Sequence, residues 1–211
     1  MTFWFFVVVS LAALVVTGIA PADRATWWLE VAPVLIALPL LAATRRRFPL
    51  TPLAYVLITI HAVILSVGGH YTYAEVPLGF WLQHALDLSR NPYDRLGHIA
   101  QGFVPALIAR EVLLRRTLLV PGAWLSFIVI SICLAISACY ELIEWWTALI
   151  AGGGAIAFLG TQGDAWDTQW DMFLALIGAI ACVLLLSRIH DRALARYQLV
   201  KRSPAERLVQ N

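Results

Sequence analysis

Residues 124–146 read WLSFIVISICLAISACYELIEWW, an apolar run with two carboxylates, Glu141 and Glu144, set near its end. A bilayer-spanning helix needs about 20 consecutive apolar residues, and this run supplies them. Each carboxylate placed at depth in a bilayer costs about 2.5–3.5 kcal/mol on the insertion scale, so a pair on one helical face is more than packing requires. The stretch therefore reads as a membrane helix built around a site.

The composition agrees. Hydrophobic residues make up 61% of the 211, charged residues 13%, and the mean hydropathy is +0.78, values of a polytopic membrane protein rather than a soluble domain. A net charge of +2 gives a nucleic-acid partner no electrostatic support. Cys133, Cys139 and Cys182 lie inside apolar runs at spacings that match no zinc or redox motif.

Working outward, the sequence predicts an all-α fold of about six transmembrane helices, near residues 3–20, 27–43, 53–69, 94–114, 122–150 and 169–187. Pro33 and Pro39 fall inside the second and are expected to kink it. Of 15 basic residues, Arg45, Arg46, Arg47, Arg110, Arg115, Arg116 and the six from Arg188 onward share one side, which the positive-inside rule makes cytoplasmic. Both termini are then cytoplasmic, with a single membrane domain over 1–190 and a basic tail over 191–211 that reaches anionic lipid. The long outer loop between the third and fourth helices carries Leu78, Trp81, Leu82, Ala85 and Leu88 on one helical face, with Gln83, Asp87 and Arg90 opposite. That pattern reads as an amphipathic helix in the membrane interface, or as a linker that shares the pattern.

Polar residues converge on the outer half. Asp94 and His98 share a face at the start of the fourth helix, Glu141 and Glu144 close the fifth, and Asp164, Asp167 and Asp171 lead into the sixth at i, i+3, i+7 spacing. Imidazole and carboxylates together bind a divalent cation, which supplies Lewis acidity or an activated water. Candidate metal ligands are thus Asp94, His98, Glu141, Glu144, Asp164, Asp167 and Asp171, with Glu141, Glu144 and Asp171 as the candidate catalytic groups. The donor set does not separate zinc, manganese, iron and magnesium.

Plainer accounts compete. Asn91-Pro92-Tyr93-Asp94 fits a helix start with Asn91 as N-cap and Asp94 as capping acid, and Asp164 with Asp167 fits the same pattern. Arg95, turned inward onto Glu141 or Asp171, would make the cluster a structural ion-pair network. His61 reads as a packing residue, His70 as a ligand or an interfacial hydrogen-bonding group, and His84 and His190 as solvated. Trp145, Trp146, Trp166 and Trp170 read as an aromatic belt or the wall of a lipid or sugar pocket. No His-Glu-x-x-His, Gly-x-Ser-x-Gly or histidine-box motif is present.

Three stretches carry a resemblance: 91–98 with Gln101-Gly102-Phe103, 140–146, and 158–164 through Trp170-Asp171-Met172. There the chain resembles the YjdF-like family, bacterial inner-membrane proteins defined by a domain of unknown function, which implies a multi-pass inner-membrane location and no particular activity. It is more faintly similar to VanZ-like membrane proteins, where Asp94, Arg95, His98, Glu141, Asp171 and Gly178 would take the family's places. That likeness implies envelope lipids or lipid-linked sugars, and Glu144 and Asp167 depart from it. The expectation is a metal-dependent hydrolase or transferase acting on an envelope lipid, its surroundings membrane lipids and its protein partners unspecified. The alternatives are a proton- or cation-coupled carrier and an accessory subunit with a structural ion-pair network.

Overall fold

In the computed structural model, which describes residues 2–151 and 156–201, the regular elements are all helices. They are α1 (Thr2–Thr17), α2 (Arg24–Thr44), α3 (Pro52–Tyr71), α4 (Pro77–Ala85), α5 (Tyr93–Arg116), α6 (Ala123–Ala151), α7 (Ile156–Leu159) and α8 (Asp167–Lys201). Local chemistry sets several of the starts. Asp23 accepts from the Thr26 amide at 2.6 Å, a bond that holds its carboxyl below the usual range. Thr51 caps α3, where Pro52 takes the first helical position. Pro33 and Pro39 sit within α2, which continues through both.

Among the described residues four helices, α2, α3, α6 and α8, are long and apolar enough to cross a membrane. Two of the six expected spans do not meet that measure. The apolar α1 has 16 residues, and the 24-residue α5 is too polar. The polarity of α5 has a cause in its position: it packs on α3, α6 and most extensively on α8, and it buries Asp94, His98, Arg110 and Glu111. Large apolar side chains face outward instead, among them Val8, Ile36, Ile60, Phe127 and Leu184. A surface of that kind suits lipid, not water.

Helices α1 and α2 gather on α3, while α6 and α8 gather on α5, and an α3–α5 contact joins the two groups. The α5–α8 seam is the tightest. A Cβ on Gly102 would overlap the Ala175 carbonyl, and one on Gly178 would overlap the Ile99 carbonyl, so the two backbones approach as only glycine permits. Phe6, Tyr55, Leu107, Val129 and Cys182 form the core where five helices meet.

Helix α8 runs 14 residues past the expected end at 187, because no proline or glycine stops it and because His190 and Leu194 are buried. The expected boundary between domain and tail thus falls inside a helix; residues 202–211 of that tail lie outside the described residues. Helix α4 ends at Ala85, with Leu88 beyond it. Its buried point is Gly79 against Asn91, and Leu78 and Trp81 face outward.

Candidate functional site

The site begins at the entry to α5. Asn91, 1% exposed, accepts from the Tyr93 amide at 3.0 Å and donates its side-chain N–H to the Val76 carbonyl at 3.0 Å. Its backbone exchanges two hydrogen bonds with the Gln162 side chain, at 3.0 and 3.1 Å. This clamp ties the α4 turn, the start of α5 and the loop before α8 together. The Asn91 bond to the Tyr93 amide is the one a capping side chain makes, and Asp94 lies in the first turn of the helix, as the helix-start reading has it. Its carboxylate turns inward.

There Asp94, His98 and Asp171 meet, 8, 7 and 3% exposed, each offering one ligand atom within 4.8 Å of the others. His98 Nε2 lies 3.4 Å from Asp94 and 3.6 Å from Asp171. The other ring nitrogen, Nδ1, pairs with Gln101 Oε1 at 3.2 Å, and Nε2 is aimed at the carboxylates. A histidine whose far N–H is held by a hydrogen bond is prepared to ligate a cation through the near one. Several oxygens nearby fall short of a hydrogen bond: Asp171 Oδ1, 3.6 Å from His98 Nε2, Asp94 Oδ2, 3.5 Å from Arg90, and both oxygens of Glu141, which is 6% exposed. Buried carboxylate oxygens left without donors are costly unless a cation or a proton meets them, and these residues fit a divalent ion.

The other expected ligands stand apart from that trio. Arg90, buried at 8%, pairs with Asp167 and lies 3.6 Å from Asp164 and 3.5 Å from Asp94, while its second nitrogen donates to the Gly160 carbonyl. Asp164 also accepts from the Trp166 amide at 2.9 Å, a turn-forming role that matches its helix-start reading. Arg95 does not turn in toward Glu141 or Asp171. It lies 3.6 Å from Asp164 and sets its guanidinium 5.6 Å from the centre of the Trp170 ring. The sequence pattern places Arg90 on the polar face of the interfacial helix, whereas it lies in the loop that enters α5, where no helical spacing announces its partners.

Beside the trio is a cavity of about 140 Å³ between α2, α3, α5 and α6, bordered by Glu30, His61, Tyr73, His98, Tyr140 and Glu144. The two glutamates of α6 therefore divide: Glu144 borders the cavity, and Glu141 is not among its lining residues. Glu30, unremarked in the sequence although it is a carboxylate within a span, accepts from the Tyr140 hydroxyl at 3.1 Å. His61, expected only to pack, borders the cavity with Nε2 unpartnered. Tyr73 reaches it from a bent turn in which Thr72 and Tyr73 both take positive φ, +58° and +52°. Left-handed backbone at such residues costs about 1–2 kcal/mol each.

The remaining histidines separate clearly. His70 bonds the Thr17 carbonyl at 2.7 Å, away from the cluster, and His84 is exposed. His190 is not solvated: it is fully buried at the opposite end of α5, accepting from Arg110 at 3.0 Å and donating to Glu111 at 3.2 Å. Glu111 also takes hydrogen bonds from Thr51 and Arg115, and Arg110 pairs with Asp191. Trp145, Trp146, Trp166 and Trp170 are all exposed, as a lipid-facing belt requires.

A family model described as "Predicted membrane protein (DUF2238)" matches residues 2–192. The chain is 58% identical over 187 residues to "Inner membrane protein YjdF" of Escherichia coli (strain K12), covering 89% of this chain and 90% of that protein. No solved structure matches.

Proposed function

The chain belongs to the DUF2238 family of membrane proteins, and from that premise we propose an inner-membrane protein that holds a divalent metal ion at the outer face and acts there on an envelope lipid or lipid-linked substrate. Its six spans are α1, α2, α3, α5, α6 and α8, with α5 crossing inside a sheath of protein and α4 lying in the interface. Both termini are cytoplasmic, following the basic residues.

The observation that carries the metal reading is the meeting of Asp94, His98 and Asp171 within 4.8 Å, with His98 Nε2 facing two acids. Asp94, His98 and Asp171 are the ligands, and buried Glu141, which stands outside that trio, is the general base. Glu144 contacts what enters the cavity, while Asp164 and Asp167 support the centre through Arg90. A bound zinc, manganese, iron or magnesium ion would polarise a phosphoryl or ester oxygen. Hydrolysis or group transfer on a lipid headgroup is the reaction class this suits. A carrier needs a polar route through to the other side, and the Glu111–His190–Arg110 cluster occupies that end of α5 with its charges mutually satisfied.

Arg90, held among three aspartates, favours the second reading, an accessory subunit with a structural ion-pair network. Elemental mass spectrometry on the purified wild type and on folded Asp171→Asn and Glu141→Gln/Glu144→Gln variants separates them. Close to one ion per chain, lost on substitution, supports the metal reading. A folded, metal-free wild type from metal-supplemented cells leaves the ion-pair network.

A further inference from the structure

The cavity has a second polar wall that the metal reading leaves unused. Glu30 on α2, Tyr73 in the α3–α4 turn and Tyr140 on α6 form it, with His61 beside them. Glu30 is 5% exposed and already takes the Tyr140 hydroxyl, while His61 Nε2 is buried with no partner. The chain is shaped to deliver Tyr73: two successive residues take positive φ, and its ring fills space that a side chain on Gly68 or Gly97 would need. Among the described residues no lysine or arginine borders the cavity; of the acids that do, Asp94 already faces Arg90 and His98, which leaves Glu30 and Glu144 to be met. An occupant that satisfies this wall is positively charged and donates hydrogen bonds.

A second metal ion is the poorer fit. Among the described residues the group of acids and histidines close enough to hold an ion is Asp94, His98 and Asp171, and Glu30, His61 and Glu144 do not join it. An ammonium group accepts wider spacing. It offers three donors to carboxylate and phenol oxygens and is attracted to aromatic faces.

We infer that Glu30, Tyr73 and Tyr140 bind the primary ammonium group of a zwitterionic phosphate ester, the headgroup chemistry of an aminophospholipid, with the phosphate lying toward Asp94, His98 and Asp171. The placement of the phosphate rests on the metal reading above; the ammonium site does not. A 140 Å³ cavity admits a headgroup and leaves acyl chains outside.

The test is calorimetric titration of the full-length, manganese-supplemented protein in detergent with dihexanoyl phosphatidylethanolamine, O-phosphoethanolamine and dihexanoyl phosphatidylglycerol, with metal content read on the same samples. The expected result is a dissociation constant about tenfold lower for the ethanolamine lipid than for the glycerol lipid. Glu30→Gln removes that preference without changing metal content, and Tyr73→Phe, which deletes one hydroxyl and keeps the packing, reduces it. Binding of O-phosphoethanolamine alone assigns a free ester, and binding of the lipid alone assigns a membrane headgroup; both keep the ammonium site. A metal-free protein that still prefers ethanolamine defeats the metal reading only. Equal binding of the two lipids by the wild type, or a preference that survives both substitutions, overturns the inference.

Discussion

Gly102→Ala adds one methyl group to the middle of α5, and two effects of opposite sign decide what it does. By helix propensity alone alanine is better than glycine by about 1 kcal/mol. Against that, the new Cβ would overlap the backbone carbonyl of Ala175, which belongs to α8 and cannot rotate away as a side chain would. Overpacking costs about 1–3 kcal/mol, and a rigid obstacle puts the cost at the upper end. The net loss is about 2 kcal/mol, which for a chain of this size lowers Tm by roughly 4–8 °C. The same methyl group lies one turn from His98, as Ala175 lies one turn from Asp171, so parting the helices also parts the two halves of the trio. Metal occupancy falls together with Tm. Thermal unfolding followed by tryptophan fluorescence in detergent reads the net change, with Gly122→Ala as the control for an added methyl group that overlaps nothing, because a Cβ there meets no atom within 4 Å. A Gly102→Ala protein that melts at or above the wild-type temperature with full metal content refutes the argument that the α5–α8 approach builds the site.

Gln101→Ala leaves the fold intact and weakens metal binding roughly 10–100-fold, since it removes the group that fixes the His98 ring; competition with a chelator of known affinity measures this. Arg90→Ala leaves Asp167 buried without its partner and costs roughly 3–5 kcal/mol, read as a fall in Tm, with Arg90→Ala/Asp167→Asn recovering part of it. Glu111→Gln costs stability at the opposite end of α5 while metal content stays at the wild-type level, because the two polar clusters share no residue. A C-terminal fusion to green fluorescent protein fluoresces and a C-terminal alkaline phosphatase fusion is inactive in bacterial cells; the reverse pattern contradicts the proposed orientation.

Much of this was legible where one helix carries the whole signal. The apolar run to Glu141 and Glu144 marks a helix long enough to cross a membrane, and Asp94 with His98 is visible as an i, i+4 pair. Whether Asp171 joins that pair depends on how closely α5 and α8 approach, which Gly102 and Gly178 permit but no single-helix pattern announces. Glu30 was open to the argument that singles out Glu141, since it too is a carboxylate inside an apolar run. Arg90 and His190 illustrate the same limit. Each lies near the end of a span, where a charged or polar group normally reaches water, and each is buried because a neighbouring helix brings an acid to it.

The central claim is that one imidazole and at least two carboxylates meet a metal ion between α5 and α8. X-ray absorption at the zinc edge of the zinc-loaded, detergent-purified protein tests it most directly. The account predicts a shell of nitrogen and oxygen at about 2.0–2.2 Å with the outer-shell scattering of a single imidazole, and loss of that imidazole signal in a folded His98→Ala variant. A zinc shell with no imidazole, or one unchanged when His98 is removed, contradicts it.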